Sequence, residues 1–194
     1  YVSRGGKKLE KAMQVFPIAL NDCICIDIGA STGGFTDCLL QHGAAKVYAI
    51  DSGTAQLDIS LASDPRVVSY ENMNARYITS ADIGGKCRLA VMDVSFISQT
   101  KLFPAFTEIL EPDGVLISLI KPQFEVGRSG IGKGGIVKDA KKRLAAVDNV
   151  CRSAAEHGLV CRGTVLSPIM GGDGNTEYLA CFVFTSGRSE DNEN

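Results

Sequence analysis

Short apolar segments alternate with helix-type segments along most of this chain of 194 residues. Such segments, apolar throughout, are typical of strands buried on both faces. We predict strands at residues 23–28, 47–50, 67–70, 89–94, 115–120, 159–166 and 177–184. Helices are predicted at residues 4–15, 35–41, 55–62, 98–110 and 138–156, with Ser3 as the N-cap of the first. The alternation predicts an α/β fold in which helices cover both faces of a parallel sheet.

The last two predicted strands, at residues 159–166 and 177–184, break this alternation. No helix is predicted between them, and their short connection contains a glycine-rich turn at residues 171–175. A connection without a helix joins antiparallel strands. A seven-stranded, mostly parallel sheet with an antiparallel last strand is the layout of Rossmann-like methyltransferases. One domain at residues 1–185 accounts for all these elements, and the polar, acidic residues 186–194 are expected to form a disordered tail.

Composition and charge exclude several classes of function. The net charge of −2 argues against a strongly basic nucleic-acid coat protein. The apolar runs are shorter than the about 20 residues that a membrane-spanning helix needs. Seven cysteines without CxxC spacing favour reduced thiols and a cytoplasmic location. However, residues 1–11 and 121–143 together carry a charge of +8, which can attract a phosphate backbone.

Polar residues stand at the strand ends where an open α/β sheet binds its ligands. They are Asp27, Asp51, Asp93, Lys121 and, at the start of the antiparallel last strand, Glu177. The glycine turn at residues 29–34 would let a ligand approach backbone N–H groups. Asp51 suits a ribose, because its carboxylate can accept hydrogen bonds from two hydroxyls. The turn departs from the dinucleotide pattern GxGxxG, because Ser31 stands at the second glycine position.

Several motifs carry a resemblance to a known family. The segment from Asp27 to Phe35, DIGASTGGF, resembles the first motif of the FtsJ-type ribose 2′-O-methyltransferases, and SRGGKKL at residues 3–9 resembles their N-terminal segment. Three further segments are similar to the TlyA (haemolysin A) branch in particular: DVSFIS from Asp93, KPQFE from Lys121 and GNTEY from Gly174. The resemblance extends to about Phe184.

This resemblance implies a methyltransferase that uses S-adenosylmethionine (SAM) and modifies a ribose 2′-hydroxyl, of a cytidine, in ribosomal RNA. The catalytic tetrad of the family falls on Lys8, Asp93, Lys121 and Glu177. Contacts with SAM are expected from Asp27, Gly29, Ala30, Ser31, Gly33, Gly34, Phe35, Asp51 and Asn74. The partners would be ribosomal subunits, without stable membrane association. The family also implies an S4-like RNA-binding domain upstream, which these 194 residues do not include. No metal site is expected, because the two histidines stand at predicted helix ends.

The tetrad residue types suit this chemistry. A ribose hydroxyl is a poor nucleophile at neutral pH and must lose its proton as it attacks a methyl group. Lys121 can act as the general base or position it, because partial burial and a nearby lysine favour the neutral amine. Asp93 and Glu177 would orient the two lysines. Holding the hydroxyl beside the methyl group supplies much of the remaining acceleration.

Three alternative functions each have some support in the sequence. Residues 127–133 match GxxxxGK, the start of a P-loop, although Gly134 replaces the Ser or Thr that binds magnesium. A membrane-acting haemolysin is suggested by the family name, but the helix at residues 138–156 has the apolar stripe of an ordinary core helix. A fold that only binds SAM or RNA is the third alternative, and the complete tetrad argues against it.

Overall fold

The computed structural model describes residues 1–186, so residues 187–194 of the predicted tail at 186–194 lie outside the described part. Seven strands form one sheet in the order β3-β2-β1-β4-β5-β7-β6. They span Ile24–Ile28 (β1), Lys46–Ile50 (β2), Val67–Tyr70 (β3), Cys87–Met92 (β4), Leu110–Ile120 (β5), Leu159–Leu166 (β6) and Tyr178–Phe184 (β7). The first five strands are parallel, and β7 runs antiparallel to both neighbours. The predicted sheet is therefore confirmed.

Helices cover both faces of the sheet, as predicted. They span Gly5–Val15 (α1), Gly34–Gln41 (α2), Ile59–Ala62 (α3), Phe103–Ile109 (α4) and Ala140–Glu156 (α5). Leu9 of α1 and Leu39 of α2 belong to one buried apolar cluster, whereas Phe106 of α4 and Val150 of α5 belong to the other. Two cores therefore sandwich the sheet and hold the carboxyl ends of β1, β2, β4 and β5 at one edge.

Two predicted helices are shorter than expected. Residues 55–58 form a loop, because Ala55 has a φ of +51° and Asp58 caps α3 by accepting the Ser60 N–H. Residues 99–101 form a 3₁₀ turn, and α4 begins only at Phe103. Residues 110–114, predicted to end that helix and turn the chain, join β5 instead, with an irregular register between its pairings with β4.

The segment before α1 also differs from the prediction. Ser3 is not the N-cap of α1: Arg4 occupies that position and makes no side-chain capping bond. Ser3 packs on the glycine turn, where a Cβ atom on Gly34 would collide with Ser3 Oγ. Because α1 then packs against α2 and β7, Lys8 is carried to the beginning of β7.

The segment at residues 127–133 lacks the geometry of a P-loop. It contains a short 3₁₀ turn, Arg128–Gly130, and a second such turn, Lys133–Gly135, follows it before α5 begins at Ala140. A P-loop leads directly from a strand into a helix. In residues 1–186, no helix has the length and apolar character needed to span a bilayer.

Candidate active site

Two lysine–carboxylate pairs lie at the ligand-binding edge of the sheet. Lys8 Nζ donates a hydrogen bond to Glu177 Oε2 at 2.7 Å, and their side chains are only 9% and 2% exposed. Lys121 Nζ, directly after β5, lies 2.6 Å from Asp93 Oδ1 and donates to Ser95 Oγ at 2.9 Å. This second pair is more open, with side chains 14% and 25% exposed.

The two pairs are neighbours. Burial raises the pKa of Glu177, while the hydrogen bond and charge of Lys8 act against that rise. The charge of Lys121 also lowers the pKa of Glu177, and the charge of Asp93 raises it. The structure therefore brings the four predicted catalytic residues together. Of the two adjacent lysines, Lys8 is buried in the site and Lys7 is exposed.

The glycine turn leads from β1 into α2 and is held against the end of β2, because the N–H groups of Gly29 and Ala30 donate to the Ile50 carbonyl at 2.9 and 3.1 Å. Gly29 has a φ of +79°, and a Cβ atom there would collide with the carbonyl oxygen of Asp93. The two oxygens of Asp51 accept backbone N–H bonds from Ser31 at 2.7 Å and from Gly53 at 2.8 Å. The turn is thus fixed to the carboxylate predicted to bind a ribose, and it lies directly against the end of β4.

A cavity of about 610 Å³, which we call the cofactor cavity, lies over the ends of β1, β2 and β4. Four of the predicted SAM contacts line it: Gly29, Ser31, Asp51 and Asn74. Its apolar wall includes Ile50 and Met73, and Asp93 lies at its border. A carboxylate for a ribose diol, an apolar wall for a flat base and a glycine turn for close backbone contact together fit SAM.

A second cavity of about 460 Å³, the acceptor cavity, contains Lys8 in its wall. Predicted contact residues Ala30, Gly34 and Phe35 also line it. It shares Gly29, Ser31 and Asp93 with the cofactor cavity. The two cavities therefore meet between the glycine turn and Asp93, which is where one ligand could transfer a group to another.

Two predicted SAM contacts, Asp27 and Gly33, line neither cavity. Asp27 is fully buried below the turn, and burial raises its pKa to about 7, opposed by a 2.8 Å hydrogen bond from Thr36 Oγ1 to Asp27 Oδ2. Gly33 has a φ of +106°, and a Cβ atom on it would collide with Leu61. Both residues therefore support the turn and do not line the cavities. A position at a strand end does not by itself decide whether a side chain reaches the ligand.

Phe96 lies at the site, although it is not among the candidate site residues predicted from the sequence. It lines the cofactor cavity, is 91% exposed and has a φ of +63°. Its ring lies 5.2 Å from that of Phe124, between centroids. Large apolar side chains are usually buried, so the residue type does not point to an exposed site residue. The only sequence signal for Phe96 is its place in the DVSFIS motif that begins at Asp93.

A hydrogen-bond network fixes the two segments that carry Asp93 and Lys121. Glu125 accepts bonds from Ser98 Oγ at 2.6 Å and from the Gln99 N–H at 2.9 Å. Burial raises the pKa of Glu125, and these hydrogen bonds oppose the rise. Gln99 in turn accepts from Ser118 Oγ of β5 at 2.6 Å. The open ion pair therefore stands on a rigid, largely buried polar support.

Comparison with known proteins agrees with this geometry. A family model for FtsJ-like methyltransferases matches residues 1–184. The chain belongs to the FtsJ-like methyltransferase family. This match confirms the family resemblance and the Rossmann-like fold that were expected from the sequence.

Individual relatives cover most of the chain. It is 49% identical over 180 residues to YqxC of Bacillus subtilis, which covers 92% of the chain and 64% of YqxC. It is 47% identical over 178 residues to the 16S/23S rRNA (cytidine-2′-O)-methyltransferase TlyA of Mycobacterium tuberculosis, covering 92% and 66%. A solved structure of a chain named hemolysin, from Streptococcus thermophilus, superposes with a TM-score of 0.93 at 48% identity, covering 96% and 68%. The chain spans about two thirds of the length of these relatives.

Proposed function

We propose that the chain transfers a methyl group from SAM to the ribose 2′-hydroxyl of a cytidine in ribosomal RNA. The observation that carries this proposal is the position of Asp93, which lines both cavities and lies 2.6 Å from Lys121 Nζ. The printed name of the Mycobacterium tuberculosis relative supports both the RNA substrate and the cytidine. A cytoplasmic location follows from this substrate.

The cofactor cavity would hold SAM, which supplies an electrophilic methyl group when bound. Asp51 retains lone pairs beyond its two backbone bonds and can accept the ribose hydroxyls. Ile50 and Met73 offer apolar surface to the adenine. The methionine part would lie at the other end of the cavity, beside the backbone of Gly29 and the side chain of Asp93.

The Lys121–Asp93 pair would receive the proton of the attacking hydroxyl. Lys121 would act as a neutral amine, held 2.6 Å from Asp93 Oδ1. That amine would accept the hydroxyl proton while the ribose oxygen forms its bond to the methyl group and the bond from the methyl group to the SAM sulfur breaks. The resulting ammonium would be held by the Asp93 carboxylate until it releases the proton to water. Ser95 Oγ orients Lys121 throughout.

Lys8 would stabilise the same oxygen by its charge. Its ammonium group lines the acceptor cavity and is nearly removed from water, so its field acts on developing negative charge with little screening. Glu177 holds Lys8 in one position by the 2.7 Å hydrogen bond. The buried pair is thus a preorganised electrostatic element, and the open pair handles the proton.

RNA would reach this site over a basic loop. Arg128, Lys133 and Lys138 are exposed in the segment that follows Lys121. Asn175, 1% exposed, fixes this segment beside β7 by accepting the Val137 N–H at 2.9 Å and donating to a carbonyl in the same loop. Clustered cations attract phosphates, and the exposed ring of Phe96 suits stacking on an unpaired base.

The direct test is methyl transfer from labelled SAM to ribosomal subunits that lack this modification. A 2′-O-methyl group prevents alkaline cleavage of the following phosphodiester, so we expect the label in alkali-resistant dinucleotides. Label in mononucleotides would assign the methyl group to a base, and absence of transfer would refute the proposal. Lys121→Ala and Asp93→Ala should each abolish transfer. Wild-type rates in both would make the assignment of the open pair wrong.

A further inference from the structure

A third cavity of about 680 Å³, which we call the outlet groove, opens beside the acceptor cavity. Its wall includes Arg4 and Lys7 on one side and Ile169, Met170 and Gly172 on the other. Arg4 and Gly172 also line the acceptor cavity, so the two cavities are continuous. The proposed reaction takes place in the acceptor cavity and leaves the outlet groove without a role.

The two sides of the outlet groove differ in chemistry. Arg4 and Lys7 present exposed positive charges, and no acidic residue among residues 1–186 lines the groove. Met170 is 58% exposed and Ile169 is partly exposed, so the opposite side is apolar. Arg4 Nη2 donates to the Met170 carbonyl at 2.6 Å, which fixes the two sides relative to each other and leaves further guanidinium N–H groups for a ligand.

Glycines keep the outlet groove open and close to the buried ion pair. A Cβ atom on Gly172 would meet no atom within 4 Å, so free space lies above this residue. A Cβ atom on Gly171 would collide with Glu177 Oε1, so the groove wall there lies directly against the Lys8–Glu177 pair. A polymer whose reacting sugar occupies the acceptor cavity would therefore continue into the outlet groove.

We propose that the outlet groove binds the nucleotide adjacent to the methylated one. Arg4 and Lys7 bind its phosphate, and its base lies on Met170 and Ile169. This inference rests on the proposed function. A flanking nucleotide fits better than a peptide, because one cationic wall facing one apolar wall matches a phosphate and a base joined by a sugar. Continuity with the acceptor cavity requires the bound strand to be unpaired at this point.

The test measures binding of a fluorescent six-nucleotide RNA with one central cytidine, in the presence of S-adenosylhomocysteine. Lys7→Glu should raise the Kd about tenfold, because it removes one phosphate contact and adds repulsion. Met170→Ala should raise the Kd about fivefold, within the range of base stacking on a side chain. Matched controls are Lys86→Glu, an equal charge reversal outside the groove, and Val15→Ala, an exposed apolar truncation outside it. Both should change the Kd less than twofold.

Modified RNAs separate the two contacts. In two further RNAs, a neutral methylphosphonate replaces the linkage on one side or the other of the cytidine. In one of these two RNAs, Lys7→Glu should no longer raise the Kd. An abasic neighbour on that side should abolish the effect of Met170→Ala. If Lys7→Glu weakens every modified RNA equally, or no more than Lys86→Glu does, the inference is overturned.

Methylation of the same RNAs distinguishes this inference from the function on which it rests. If the wild-type chain forms 2′-O-methylcytidine and Lys7→Glu leaves both KM and Kd unchanged, the outlet groove is not the flanking site, although the proposed function stands. If neither these RNAs nor ribosomal subunits receive a 2′-O-methyl group, the proposed function fails and takes this inference with it. Unchanged SAM binding and thermal unfolding in Lys7→Glu would confirm that the variant is folded.

Discussion

The buried pair Lys8–Glu177 and the open pair Lys121–Asp93 are composed of the same chemical groups at nearly the same distance. They differ in exposure and in what holds them. The buried pair joins α1 to the start of β7, whereas Asp93 of the open pair lines both ligand cavities. Exchange of protons and access of substrate need exposure, while a fixed field needs burial. The difference teaches that environment, rather than residue type, divides the roles between the two pairs.

Removal of the open lysine should have the largest effect. Lys121→Met keeps the length of the side chain but removes the amine that receives the hydroxyl proton. We expect methyl transfer to fall about 10³-fold, the usual scale for loss of a general base, while the Kd for SAM changes less than twofold. Initial rates with labelled SAM measure the first and calorimetry the second. Lys86→Met is the control, and a fall below tenfold would contradict the assigned role.

Stability should respond in the opposite way. Glu177→Ala leaves the Lys8 ammonium buried without its partner and should lower the free energy of unfolding by about 3 kcal/mol. Asp93→Ala affects a more exposed pair and should cost about 1 kcal/mol or less. Urea unfolding checks both values. The double variant Lys8→Met, Glu177→Leu should recover part of the loss, because it strands no charge. Equal costs for Glu177→Ala and Asp93→Ala would remove the distinction between the pairs.

Asp27 extends the comparison, because it is a buried carboxyl that forms no ion pair within the described part of the chain. Burial raises the pKa of Asp27 from near 4 to about 7, so the folded chain retains a proton that the unfolded chain releases over this range. Stability should therefore fall as the pH rises from 4 to 7, by about 1 kcal/mol per pH unit, and then level off. Asp27→Asn removes this dependence. The gap between variant and wild type should widen up to pH 7, and a pH-independent gap would refute the shift.

The fold and the site differ in how far the sequence could predict them. Strand β6 was predicted with its observed bounds, because a run of β-type residues between His157-Gly158 and a turn is a local signal. The tetrad residues could be named from motifs, but which lysine joins which carboxylate could not. Lys8 and Glu177 are 169 positions apart, so their contact depends on how α1 packs against α2 and β7.

Asp27 and Phe96 show where local reasoning fails. Both stand at or after a strand end, where the pattern predicts the Asp27 carboxylate on the ligand-binding rim and does not single out Phe96. In the structure Asp27 is fully buried and Phe96 is 91% exposed. The φ of +63° at Phe96 turns its side chain outward, and such backbone conformations are rare for residues other than glycine. Exposure at this edge is decided by turn geometry, which the hydrophobic pattern does not encode.

The smallest effects on stability are expected from removal of exposed aromatic rings, and such variants show which side of the site binds RNA. Phe96→Ala and Tyr77→Ala each remove an exposed ring, so each should change the free energy of unfolding by less than about 1 kcal/mol. Of these two residues, only Phe96 lies beside the open pair, because it follows Ser95, whose hydroxyl accepts from Lys121. Phe96→Ala should therefore weaken binding of the cytidine-containing RNA about fivefold, whereas Tyr77→Ala should not. If fluorescence anisotropy shows equal binding for both variants, the open pair does not mark the RNA side.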